Sequence, residues 1–91
     1  MAVRLSCHMA DKLAKELSRI GITRESLEEV IRNPDETLYD TVTGRYVAVK
    51  TESKLAVIYE RKEEEIFIIT AIYSSLLDDV VRRRKRSGRW I

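Results

Sequence analysis

The sequence predicts an α+β domain: two N-terminal helices, a three- to four-stranded antiparallel sheet and a C-terminal helix. Three observations carry this. Apolar residues recur at steps of three and four up to residue 31, strand-like runs rich in Val, Ile and Tyr follow to residue 73, and a helical stripe returns from residue 76. The links between the middle runs are short and polar, which permits hairpins but not the long crossovers that parallel strands need.

The first helix is predicted from Val3 to Ile20, with Leu5, Met9, Leu13, Leu17 and Ile20 on its apolar face, and Gly21 ends it. Thr23 reads as the N-cap of a second helix, Ile22 and Leu27 as a hydrophobic staple, and Leu27, Val30 and Ile31 as its buried stripe. Pro34 stops that helix by withholding a backbone donor. A short edge strand, Thr37–Asp40, and a turn, Thr41–Gly44, lead into strands at 45–50, 54–61 and 65–73. The last run is apolar at nearly every position, as in a central strand covered on both faces. Ser75 and Asp78 have capping-box spacing for a third helix with the stripe Leu76, Leu77, Val80 and Val81, and Gly88 is its stop.

With 91 residues the chain makes one domain, 1–91, ending in a basic tail, 82–91. That tail carries six cations (Arg82, Arg83, Arg84, Lys85, Arg86 and Arg89) and no acid, whereas the remainder has 11 positive against 15 negative side chains. A basic end on an acidic body turns toward polyanions. A lone cysteine, Cys7, excludes an internal disulfide and a cysteine zinc site, and its expected role is buried packing. No apolar run reads as a signal peptide or a membrane span, so a cytoplasmic protein without a membrane partner is expected. The chain has no Gln and one Asn, the composition of a thermophile that avoids labile amides.

Six cations in eight positions exceed what the negative end of a helix calls for, so the tail reads as a phosphate-tracking patch as well as a solvated helix end. Trp90 beside it suits either stacking on an unpaired base or burial against the domain. On the first helix, Arg4, His8, Lys12, Lys15 and Arg19 fall four, four, three and four apart and form a cationic stripe. His8 is the one side chain whose ordinary pKa suits proton transfer near neutrality, and it lies in that stripe. The set is compatible with metal-independent RNA cleavage, His8 acting as acid or base while cations stabilise charge on the phosphate. Tyr73, at the mouth of the last strand, is a second candidate, whereas Tyr46 and Tyr59 are expected to pack on the sheet. No metal set, Gly-rich phosphate loop or cofactor motif is present. Cys7 and His8, being adjacent, point about 100° apart and make no nucleophile pair.

The ordered set of His8, Gly21-Ile22-Thr23, Asn33-Pro34-Asp35-Glu36, Gly44-Arg45-Tyr46, Thr70-Ala71 and Gly88-Arg89-Trp90 resembles the prokaryotic domain of unknown function 4258 family over nearly the whole chain. That family is in turn distantly similar to the RelE/ParE toxins, BrnT-like members included. The resemblance implies a RelE-like fold of helices against an antiparallel sheet, and ribonucleases are frequent among such toxins. His8, Tyr46 and Arg89-Trp90 match family positions, whereas Ser18 to Ile22 is one residue longer than the family pattern. The Lys/Arg/Tyr cleavage set of RelE toxins has no register on this chain. The expected function is therefore an RNA-directed small protein, with toxin-type cleavage as one reading. The alternatives are a non-catalytic nucleic-acid- or ribosome-binding module, and a protein-interaction subunit that is a homodimer or pairs with an acidic antitoxin-like protein.

Overall fold

Val3 and Leu5 flank Arg4, and this two-residue alternation extends the chain where helical spacing was expected. The computed structural model describes residues 2–91. It begins with β1 (Ala2–Leu5), followed by α1 (Cys7–Lys15), a 3-10 helix (Leu17–Ile20) and α2 (Arg24–Arg32). Strands β2 (Glu36–Tyr39), β3 (Tyr46–Lys50), β4 (Leu55–Lys62) and β5 (Glu65–Tyr73) and helix α3 (Leu77–Arg86) complete the chain. The single long first helix is thus corrected to a strand, a nine-residue helix and a 3-10 turn.

The sheet has five strands in the order β1-β5-β4-β3-β2. Its four later strands pair antiparallel, as expected, but β1 lies parallel to β5, with Ala2 opposite Glu65 and Leu5 opposite Ile68. The sheet is therefore mixed. All elements from α1 to β4 form the long connection that a parallel pair requires. Arg24, in the first turn of α2, donates from its guanidinium to the Val3 carbonyl and so ties α2 to β1.

Local chemistry explains where the helices begin and end. Ser6 caps α1 by accepting from the Met9 amide at 2.9 Å. Gly21 closes the 3-10 helix at φ 82°, a conformation that costs glycine least. Thr23 and Ser26 form the reciprocal capping box of α2, whose Leu27 and Val30 are fully buried. The capping box expected at Ser75 is absent. Instead Ser74 accepts from the Leu76 amide, α3 starts at Leu77, and Leu76 is left 62% exposed. Ile20, assigned to the apolar face, is likewise exposed, because the 3-10 geometry moves it off the α1 stripe.

The sheet carries a core on each face. Met9, Leu17, Ile22, Leu27 and Val30 pack with Val3, Leu55, Val57, Ile66 and Ile68 beneath α1 and α2. Leu77, Val81 and Trp90 pack with Leu38, Val47, Val49 and Ala56 on the opposite face. Strand β5 is an interior strand between β1 and β4, and the middle of the sheet is β4 rather than β5 as its continuous apolar run suggested. Strand β5 also contains a bulge. Ile58 pairs with Thr70 and Tyr59 with Ile68, so Ile69 has no partner in β4, and Ala71 turns back to the face of Ile66 and Ile68.

Cys7 is exposed on the first turn of α1 rather than packed, because Met9 takes the buried position there.

Candidate nucleic-acid interface

Charge on the tail is organised by what lies beneath it. Trp90 is 1% exposed, and its indole donates to Asp40 Oδ2 at 3.2 Å. Asp40, itself buried, accepts from the backbone amides of Val42 and Thr43 and from Arg89. Burial pushes its carboxyl pKa up, but the amide bonds from Thr43 and Val42, the indole and the Arg89 charge outweigh that and hold it below the usual carboxylate range. The chain beyond α3 then pairs with the sheet edge. Tyr39 and Ile91 exchange two backbone hydrogen bonds of 3.0 Å, and the Thr41 amide donates to the Arg89 carbonyl at 2.8 Å. Residues 89–91 therefore cover part of β2 as a short added strand.

This geometry removes Trp90 from the stacking residues, since a buried ring offers no face to a base. Arg84 lies 5.5 Å from the ring centroid in a cation–π contact, and Arg89 is committed to Asp40. Four tail cations stay outward on α3. Arg82 pairs with Asp79 at 2.7 Å and Lys85 with Glu36 at 2.6 Å, both between exposed side chains. Arg83 and Arg86 have no acidic partner among the described residues. Exposed pairs are worth about 0 to 1 kcal/mol, so a phosphate can replace Asp79 or Glu36 at little cost.

The cationic stripe assigned to the first helix is split. Arg4 stands on β1 between Val3 and Leu5, both of which pack toward α1, so its own side chain faces the opposite side, beside Phe67. His8, Lys12 and Lys15 remain on α1, and Arg19 is on the 3-10 helix. Lys15 is paired with Asp11 at 2.9 Å. Lys12 donates to the Ala71 carbonyl at 2.7 Å. Tyr73, 43% exposed, follows two residues later on the same face of β5, which places it in the corner that Lys12 reaches. His8 is exposed one helical turn before Lys12.

Because α1 packs on one face of the sheet and α3 on the other, His8 and the tail cations do not converge. A phosphate at α3 would not be presented to His8. No family model, curated protein or solved structure matches the chain. Among the described residues, no three His, Cys, Asp or Glu side chains are grouped to hold a metal ion, and no helix is long and apolar enough to cross a membrane.

Asp40, the hub of the tail, was not among the residues singled out from sequence. Its signal was the Asp-Thr-Val-Thr-Gly stretch, whose Asp can hold a turn by accepting from amides two and three residues on. A tyrosine row was also missed: Tyr39, Tyr46 and Tyr59 stand side by side across β2, β3 and β4, with centroid separations of 6.0 and 5.8 Å.

Proposed function

We propose that the chain is an RNA-directed, polyanion-binding module of RelE-like character that holds phosphates on the outer face of α3 and binds without cutting. The observation that carries this reading is the pair Arg83 and Arg86, free of acids, with Arg82 and Lys85 in weak exposed pairs beside them. At 100° per residue, Arg86 and Arg83 lie about 160° and about 140° from the middle of the buried Leu77 and Val81 stripe, so they head the ridge that faces solvent. The net negative remainder of the chain turns this ridge toward a polyanion.

Cleavage is the weaker reading. It would need His8, Lys12 and Tyr73 to act on a phosphate in their own corner, without the α3 cations. An anisotropy titration of a labelled single-stranded RNA over a range of salt, in chelator and followed by a gel, separates the two. Two to four phosphate contacts give a log–log salt slope of about −1.4 to −2.8, with the RNA intact. A flat salt dependence removes the α3 reading, and metal-free cleavage that His8→Ala abolishes restores the enzyme reading.

A further inference from the structure

On the helix side of the sheet, away from α3, the last turn of α2 and the tyrosine row enclose a groove of about 560 Å3. Its wall is Ile31, Arg32 and Pro34, its floor includes Tyr46 and Tyr59, and Arg61 stands at its rim. None of the residues lining it is acidic, and neither Arg32 nor Arg61 takes part in an ion pair among the described residues.

The aromatic floor is graded in exposure. Tyr59 is buried, and that burial raises its phenol pKa, partly offset by the Arg61 charge. Tyr46, braced between Tyr39 and Tyr59, is 41% exposed and forms the open part of the floor. An aromatic surface between two unpaired guanidinium groups matches one ligand chemistry: a planar ring that carries a phosphate. The size agrees, since pockets for small organic ligands occupy about 300 to 1,000 Å3.

We infer that this groove is a nucleotide subsite, with the base against Tyr46 and the phosphate held by Arg32 and Arg61. It is independent of α3 and lies on the other face of the sheet. The nucleotide comes either from solution or from one unit of a single strand, and the chemistry is the same in both cases.

Backbone amide shifts followed during titration with adenosine 5′-monophosphate, a short oligoadenylate and inorganic phosphate test it. Shifts at Ile31, Thr37, Tyr46 and Arg61 with the monophosphate identify a free nucleotide, and shifts with the oligonucleotide alone identify a strand. Tyr46→Ala is expected to weaken binding about 5- to 150-fold, the range that base–aromatic stacking spans, while Tyr46→Phe retains it. Arg32→Ala with Arg61→Ala removes it without unfolding the chain. The double variant Arg83→Ala/Arg86→Ala leaves the groove titration unchanged, which separates this site from the α3 surface. No groove shifts with either nucleotide, or equal binding of inorganic phosphate, overturns the inference.

Discussion

The indole of Trp90 and the carboxylate of Asp40 meet at 3.2 Å beneath the basic tail, and this bond joins the C-terminal segment to the turn after β2. Asp40 also accepts from two backbone amides and from Arg89, so one buried side chain holds both sides of the junction. The six cations that look like a free tail in the sequence are thereby fixed on a folded surface.

Removing the charge at that junction is expected to loosen it. Hydrogen bonds to a charged group contribute about 1.5 to 3 kcal/mol each, so Asp40→Asn costs about 2 to 3 kcal/mol and lowers the thermal midpoint by about 10 °C or more. Thermal melts of both proteins check this. The pH dependence has a defined sign. Asp40 has a folded pKa below its unfolded one, so its contribution is present above the ordinary carboxylate range and is lost as pH falls through the folded value. Asp35, lowered by the Thr51 hydroxyl and amide, acts in the same direction. An acid titration followed by stability should lose part of its low-pH arm in Asp40→Asn.

Trp90 is expected to report folding rather than binding. A ring that is 1% exposed emits at short wavelength in the native state and shifts to the red on unfolding. RNA at low salt should leave its intensity unchanged, and strong quenching would place the ring at the surface. Trp90→Ala should cost about 3 to 5 kcal/mol through the cavity it leaves.

The phosphate contacts proposed for α3 are separable from stability. Arg83→Ala and Arg86→Ala alter exposed side chains without acidic partners, so each should change stability by no more than about 0.5 kcal/mol. Each should also reduce the salt slope by about 0.7 on single-stranded RNA. Arg89→Ala should do the reverse, destabilising the junction with little effect on the slope. Anisotropy titrations beside urea melts distinguish the two classes.

Local signals in the sequence identified much of this fold. Thr23 and Gly21 act at backbone positions with their own chemistry, and β5 runs over Glu65–Tyr73, the stretch its apolar pattern marks. Non-local partners were not legible. Leu5, Met9 and Leu13 continue a helical spacing, so nothing nearby shows that residues 2–5 pair with β5 more than sixty residues away. The tail poses the same problem: Gly88 signals a stop, but the return of Trp90 to Asp40 crosses 50 positions. A stripe counted on one ideal helix, from Arg4 to Arg19, lost its meaning once a strand, a helix and a 3-10 turn divided it.

Ser6 gives the sharpest test of that hidden connection. Its hydroxyl accepts from the Met9 amide, capping α1, and donates to the Ile69 carbonyl at 2.7 Å. Ile69 is the residue that the β5 bulge leaves without a partner in β4. One side chain therefore satisfies two backbone groups that the parallel β1–β5 junction would otherwise leave open. Ser6→Ala forfeits the cap, about 0.5 to 2 kcal/mol, and strands a part-buried carbonyl, about 1 to 3 kcal/mol. The expected loss is about 2 to 3 kcal/mol, while Ser6→Thr, which keeps the hydroxyl, should lose under about 1 kcal/mol. Urea midpoints decide it: equal effects from both variants would mean that the hydroxyl does not join α1 to the bulge.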